Sequence, residues 1–131
     1  MQTKLIESNP LLKKCVEFAL QLIEYCDKLE ADKKLVIARQ LLRSGTSIGA
    51  SSIEAQNAES KRDFIHKIKI AAKEADESHY WLMLCSKSNT YPNCDHLMKM
   101  LEEINRILGK IISTAKKNEQ SGNRTKLQEL R

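Results

Sequence analysis

Two Asp-x-x-His pairs are the residues in this sequence best spaced for metal or acid–base chemistry. Asp63 and His66, like Asp76 and His79, are three residues apart, which puts a carboxylate and an imidazole on one face of a helix. Both pairs fall on one predicted helix, whereas a di-iron bundle site takes Glu-x-x-His from each of two helices and a Glu from each of the other two. We therefore expect no metal site, with Asp63 as a helix cap and His79 partly buried and hydrogen-bonded.

The nucleophilic side chains lack the surroundings that catalysis needs. The serines between residues 44 and 52 have no strand-to-helix turn around them, and no glycine-rich loop follows a predicted strand to hold phosphates. Cys15 and Cys26 are eleven residues apart on one predicted helix. That spacing is about 16 Å, too far for a disulfide. We expect reduced, packed thiols, no catalytic residue and no cofactor.

Length and composition limit the class of protein. A chain of 131 residues fits one domain, and its six Gly and Pro residues with 30% charged residues favour helices over strands. No apolar run approaches the roughly 20 residues that span a bilayer, and the N-terminus lacks the layout of a secretory signal. We expect a cytoplasmic protein that makes no contact with a membrane.

Apolar residues spaced by three and four predict four helices, at about residues 10–29, 33–58, 61–87 and 95–118. Four start signals accompany them: Ser8 or Asn9 before Pro10, Asp32, Ser60 followed by Asp63, and Asp95. The residues predicted to face inward are Leu12, Cys15, Val16, Ala19, Leu22, Ile23, Cys26 and Leu29 in the first helix; Leu35, Ala38, Leu41, Leu42, Ile48 and Ile53 in the second; Phe64, Ile65, Ile68, Ala72, Ala75, His79, Leu82 and Ser86 in the third; and Leu97, Leu101, Ile104, Leu108, Ile111 and Ala115 in the fourth.

Helices of this length joined by short links bury their apolar faces by packing side by side in alternating directions. The sequence therefore predicts an all-α fold, an antiparallel up-down-up-down four-helix bundle over residues 1–118. Residues 119–131 are polar until isolated leucines near the end, and the last sixteen residues carry about +3 of the net charge of +5. We expect residues 119–131 to form a flexible basic tail.

The segment from Ser44 to Ser52 admits two interpretations. Two glycines among small polar residues are typical of a loop, since each Gly costs about 1 kcal/mol relative to Ala inside a helix. The apolar spacing nevertheless keeps its phase through Ile48, which favours a continuous helix. In that helix Gly45 and Gly49 lie one turn apart and would let another helix approach closely.

Several motifs resemble a known family. Residues 40–50 read QLLRSGTSIGA. They are followed by Glu54-Ala55, residues 60–67 (SKRDFIHK), residues 72–75 (AKEA) and Tyr80-Trp81-Leu82. Over roughly residues 10–118 this pattern resembles the bacterial four-helix bundle family associated with intervening sequences of 23S ribosomal RNA genes. The resemblance implies an up-down-up-down bundle, assembly as a homopentameric ring and no catalytic activity. A related branch, the accessory variability proteins of diversity-generating retroelements, binds nucleic acid and a reverse transcriptase.

Tyr80 and Trp81 are adjacent, so on a helix they point about 100° apart and cannot both face one core. One of them covers a seam between helices or is buried between subunits, and the family resemblance favours the oligomer interface.

The candidate nucleic-acid-binding residues are all basic and fall on the second and third predicted helices: Arg39, Arg43, Lys61, Arg62, Lys67, Lys69 and Lys73. Acidic neighbours make a solvated face of mixed charge the alternative for a monomer. An oligomer would repeat the basic patch and strengthen its field. We expect salt-dependent binding of RNA or DNA phosphates if the two groups converge at one end of the bundle. A protein-interaction adaptor without nucleic-acid binding is the competing interpretation.

Overall fold

The computed structural model describes the backbone of residues 2–129 and the side chains of residues 3–122. It has five helices: α1 Gln2–Ser8, α2 Pro10–Ala31, α3 Leu35–Gln56, α4 Lys61–Lys87 and α5 Asp95–Glu129. Over that backbone there is no strand, which confirms the all-α class. The short helix α1 was not expected from the sequence. None of the described helices is long and apolar enough to cross a membrane.

Two of the predicted helix starts are confirmed in detail. The Asn9 side chain accepts hydrogen bonds from the backbone nitrogens of Leu11 and Leu12, at 3.0 and 3.3 Å, and Pro10 occupies the first helical position. The Ser60 hydroxyl accepts from the backbone nitrogen of Asp63 at 3.0 Å. These side chains satisfy amide groups that have no partner inside the helix.

The turn between α2 and α3 differs from the prediction. Asp32 ends α2 instead of capping α3, and Lys34, which precedes α3, offers no side-chain cap. Lys33 has φ of 61°, the left-handed conformation that stops a helix, which is unusual for a residue with a side chain. The chain therefore turns within three residues, and the second helix begins two residues later than predicted.

The glycine-containing segment is helical, as predicted: α3 runs unbroken from Leu35 to Gln56. The hydroxyls of Ser44, Thr46, Ser47 and Ser52 donate to carbonyl oxygens three or four residues earlier, as in Thr46 to Leu42 and Ser52 to Ile48, both at 2.7 Å. These bonds satisfy polar groups that would otherwise be costly to bury.

Each long helix packs against two neighbours. Helix α3 contacts α2 and α4, and α5 contacts α4 and α2, whereas α1 contacts only α2. The fully buried side chains between them are mainly large and apolar, including Phe18, Leu41, Ile68, Leu82 and Leu101. Burying these side chains is the main favourable contribution to folding.

Some inward-facing assignments are wrong. His79 and Ser86 are exposed, while their neighbours Ser78 and Cys85 are buried, so at these two positions the buried face of α4 lies one residue earlier than predicted. In α2, Phe18 and Tyr25 are buried and Ile23 is 41% exposed. In α3, Leu35 is exposed. Apolar residues cover more of these helices than one face, so spacing alone left the direction of the core ambiguous.

The last helix also differs from the prediction, because its backbone continues past Asn118 to Glu129 where a tail was expected. The side chains of residues 119–122 are exposed. The basic side chains of Arg124, Lys126 and Arg131 in the predicted tail lie outside the described residues.

Candidate interaction surfaces

The two glycines of α3 lie where α2 comes closest. A β-carbon on Gly45 would collide with Cδ2 of Leu22 and lie 3.4 Å from Cε1 of Phe18. A β-carbon on Gly49 would lie 3.2 Å from Cβ of Cys15. The absence of side chains at Gly45 and Gly49 thus lets α2 pack directly on the α3 backbone, the role predicted for this spacing.

The contact between α3 and α4 is polar at its centre. Ser44 Oγ and Ser78 Oγ are 2.9 Å apart, and both residues are fully buried. Because only residues 57–60 connect α3 to α4, the chain reverses direction and Ser44 sets the register opposite Ser78. Moving along α3 toward its start therefore means moving along α4 toward its end.

Arg43, a predicted phosphate ligand, is engaged by acidic residues of α4. Its guanidinium forms ion pairs with the carboxylates of Glu77 and, at 3.3 Å, Glu74. Trp81 Nε1 donates to the same Glu77 carboxylate at 3.3 Å. Arg43 therefore joins α3 to α4, and its charge is largely balanced before any ligand arrives.

The two groups of basic residues do not converge. With Ser44 opposite Ser78, Arg39 lies beside the last two turns of α4, whereas Lys61 and Arg62 begin that helix. About 20 residues of α4 separate the two levels, roughly 30 Å at 1.5 Å per residue. A single phosphate cluster combining Arg39 with Lys61 is therefore wrong on geometric grounds.

A smaller set of the predicted cations forms a row on α4. Arg62, Lys69 and Lys73 are exposed, and spacings of seven and four residues keep them on one face. None of these three side chains forms an ion pair with another described residue, whereas Lys67 lies 3.7 Å from the Asp63 carboxylate. We call Arg62, Lys69 and Lys73 the basic stripe.

Large apolar side chains remain exposed beside the Arg43 ion pairs. Val36, two turns before Arg43, is 74% exposed, and Tyr80, one turn after Glu77, is 49% exposed. Tyr80 and the partly buried Trp81 meet edge to face, with ring centroids 5.2 Å apart. We call Val36, Tyr80 and Trp81 the α3–α4 patch. A second apolar surface, the α2 patch, consists of Leu20 and Ile23, which are 60% and 41% exposed.

The candidate catalytic chemistry finds no support in the geometry of the described side chains. His66 and His79 are exposed, and no group of three His, Cys, Asp or Glu side chains among the described residues is placed to hold a metal ion. All four cysteines are free and buried, as predicted. Burial raises the pKa of the Cys15 thiol to about 11 and that of Cys26 to about 12, so both are protonated and poor nucleophiles near neutral pH.

A groove of about 630 Å³ lies between the start of α4 and the second half of α5. Apolar side chains from both helices line it, including Phe64, Ile65 and Ile111, with Lys61, Arg62 and Lys110 among its polar residues. Sequence reasoning missed this groove, the α2 patch and the exposed Val36, whereas Tyr80 and Trp81 were predicted to lie at an oligomer interface. Leu20 and Val36, apolar residues outside the predicted stripes, were the signal that could have revealed the patches.

The structure is that of an all-α protein. Among the described residues, its candidate functional features are surfaces of exposed apolar and basic side chains. The family model described as 23S rRNA-intervening sequence protein matches residues 7–111, and the chain belongs to this family. A crystal structure of a protein with unknown function from the S23 ribosomal protein family of Bacteroides thetaiotaomicron VPI-5482 is similar, with 39% sequence identity and a TM-score of 0.74. The match covers 78% of this chain and 97% of that one. None of the curated proteins compared with the chain matches it.

Proposed function

We propose that this protein is a non-enzymatic, cytoplasmic scaffold in which α2 to α5 form an antiparallel four-helix bundle, and that it assembles as a homopentameric ring and binds RNA or DNA. The neighbour contacts of the four long helices support the bundle. Four free, buried thiols fit a reducing compartment. The family membership supports the scaffold role.

The observation that carries the assembly is the exposure of large apolar side chains on three helices: Leu20 and Ile23 on α2, Val36 on α3 and Tyr80 on α4. Val36 lies on α3 seven residues before Arg43 and Tyr80 lies on α4 beside Trp81, whereas Leu20 and Ile23 lie on α2. Two different apolar surfaces on one subunit suit a head-to-tail contact, in which one surface of each subunit meets the other surface of the next. Such contacts close into a ring when the rotation between subunits allows it.

Light scattering at micromolar concentration tests the assembly. A pentamer has a mass of about 75 kDa, five times the 15.0 kDa of the chain. Val36→Asp places a charge in the α3–α4 patch without disturbing the core and should lower the measured mass. Gln21→Asp puts the same side chain on an exposed position of α2 and serves as the control. A wild-type particle of 15.0 kDa would remove the ring from the proposal.

The basic stripe is the part of the predicted nucleic-acid site that we retain. Eleven residues separate Arg62 from Lys73, about 16 Å along the helix axis, so the three cations can reach successive phosphates. Phosphate contacts of this kind position a nucleic acid without reading its sequence. Repetition of the stripe in an oligomer raises the effective concentration of cations around one bound strand.

Fluorescence anisotropy with a structured RNA at several salt concentrations tests nucleic-acid binding. Lys69→Glu with Lys73→Glu should weaken binding and lower the slope of log affinity against log salt by about 1 for each lysine. Lys28→Glu with Lys87→Glu is the matched control, because it changes the net charge equally at exposed sites outside the stripe. An equal loss in both double variants would mean that the stripe is not the site.

A protein adaptor is the alternative if RNA and DNA fail to bind the wild-type protein even at low salt. In that case the apolar patches would serve a protein partner, and a reverse transcriptase is the candidate that the related family branch suggests. Co-purification of the chain with that enzyme, lost in Val36→Asp but not in Gln21→Asp, would support the adaptor.

A further inference from the structure

The groove between α4 and α5 lies beyond the level at which α2 begins. Lys14 Nζ lies 3.0 Å from the Glu103 carboxylate, so Pro10, the first residue of α2, lies about one turn before that level. Helix α5 continues beyond this point, and the groove lining on α5 runs from Ile107 to Glu119. Helix α1 does not fill the space, since it contacts only α2 among the described helices.

The floor of the groove consists of apolar side chains that the core of the protein does not fully bury. Phe64 and Ile65 come from α4; Ile107, Ile111 and Ala115 come from α5. All five are partly exposed, which is unusual for residues that continue the buried stripe of each helix. A further helix lying where α2 would continue could bury all five together.

The rim of the groove is basic. Lys61, Arg62 and Lys110 line it and are exposed, and Glu119 is the one acidic residue among the lining side chains. Among the described residues none of the three cations has an ion-pair partner. An occupant with acidic side chains would therefore gain charge complementarity along both edges of the apolar floor.

We propose that this groove binds an amphipathic helix with acidic flanks from a partner protein. The apolar floor favours a peptide over a nucleic acid, which offers phosphates to the rim but no apolar side chains to the floor. From Ile107 to Glu119 the groove extends about 18 Å, which accommodates roughly three helical turns. The groove lining includes no residue of the α3–α4 patch or the α2 patch, and it shares only Arg62 with the basic stripe.

Fluorescence anisotropy with a designed peptide tests the proposal. The probe is a labelled peptide of about 14 residues, with leucines spaced by three and four and glutamates beside them. A peptide of the same composition in scrambled order and one with lysines in place of glutamates are the controls. We expect micromolar binding of the acidic peptide and at least tenfold weaker binding of the other two.

Two variants locate the binding. Lys61→Glu with Lys110→Glu reverses the rim charge and should lower the affinity for the acidic peptide about tenfold or more. Lys99→Glu, three turns earlier on α5, should change that affinity less than about twofold. Ile111→Asp should also weaken it, and circular dichroism shows whether that variant remains folded. The rim variant should leave the particle mass and the binding of RNA through Lys69 and Lys73 unchanged, so failure here is distinct from failure of the scaffold.

Three results would overturn the proposal. Equal binding of the lysine peptide would mean that charge does not select the occupant. Displacement of the peptide by RNA, with the rim variant losing both ligands, would assign the groove to nucleic acid. No peptide binding together with a lower particle mass for Ile111→Asp, in a variant that remains folded, would show that a second copy of the chain occupies the groove.

Discussion

Ser44 Oγ and Ser78 Oγ meet at 2.9 Å in the interface between α3 and α4, with both side chains fully buried. Each hydroxyl also reaches a carbonyl of its own helix: Ser44 donates to Leu41 at 3.3 Å, and Ser78 shares its one hydrogen between the Glu74 carbonyl, at 2.8 Å, and Ser44 Oγ. Both of these hydroxyls therefore have hydrogen-bond partners, and two small side chains let the helices come close. The pair fixes the register of α3 against α4.

Replacing either serine tests this relationship. Ser44→Ala and Ser78→Ala should each lower the free energy of unfolding by about 1 kcal/mol, because each removes a buried hydrogen bond but leaves the other hydroxyl a carbonyl partner. In a double-mutant cycle the coupling energy should exceed about 0.5 kcal/mol. Urea unfolding with unchanged slope provides the measurement, and purely additive losses would mean that the hydroxyl contact contributes nothing.

Three helical glycines, Gly45, Gly49 and Gly109, should respond differently to alanine. Gly109→Ala should stabilise the protein by up to about 1 kcal/mol, since nothing lies within 4 Å of the added β-carbon and alanine favours the helix. Gly45→Ala should destabilise it, because fully buried Leu22 must move. The effect of Gly49→Ala on stability should lie between those of the other two variants. Thermal unfolding orders the three, and a stabilising Gly45→Ala would mean that α2 does not pack on α3 as described.

The four cysteines should be unreactive in the folded protein. Burial raises the pKa of each thiol above its usual 9.0, so little thiolate exists at pH 8 and reagents cannot reach it. A disulfide reagent should label none of them in buffer and all four in guanidinium chloride. Rapid labelling of one thiol in the native protein would contradict the burial.

The same pKa shifts predict how stability depends on alkaline pH. The folded thiols bind their protons more tightly than the unfolded ones, so this contribution is fully present below pH 9.0 and is lost as pH rises toward 12, the pKa of Cys26. The urea midpoint should therefore decline above about pH 9. In Cys15→Ala the decline should be shallower than in the wild type, while an identical decline would show that Cys15 does not contribute.

Arg43 should matter little for nucleic-acid binding despite its place in the sequence motif. Glu74 and Glu77 already hold its guanidinium, so Arg43→Gln should reduce RNA affinity less than Lys69→Gln does. Its ion pairs are partly exposed, and we expect a stability loss below about 1 kcal/mol. Anisotropy and urea unfolding of the two variants decide the comparison. Equal losses of affinity would mean that Arg43 leaves its carboxylates to contact phosphate.

Local signals in the sequence were enough to predict much of the secondary structure. Asn9 and Ser60 carry their capping groups in the side chain itself, and the helix through Gly45 follows from the apolar phase on both sides of it. The buried position of Ser78 in place of His79 could not be predicted in this way. It depends on the hydroxyl of Ser44, which is 34 residues away in the chain.

The candidate site was less predictable, for the same physical reason. The sequence offers Arg43 and Lys69 alike as candidate phosphate ligands, but whether a cation is free depends on which carboxylates the neighbouring helix brings to it. The register of α3 against α4 puts Glu74 and Glu77 beside Arg43 and leaves Lys69 without an ion pair among the described residues. The groove likewise depends on where α2 begins relative to α5, which no single segment reveals.

The unequal lengths of α2 and α5 have a consequence for motion. Leu97, Leu101 and Ile104 of α5 lie under other helices and are almost fully buried, whereas Ile111 and Ala115 are covered on fewer sides. Local opening costs less free energy where fewer apolar contacts must break. Amide hydrogen exchange along α5 should therefore become steadily faster from Leu97 toward Asn118, because the second half of this helix opens locally more often than the first half.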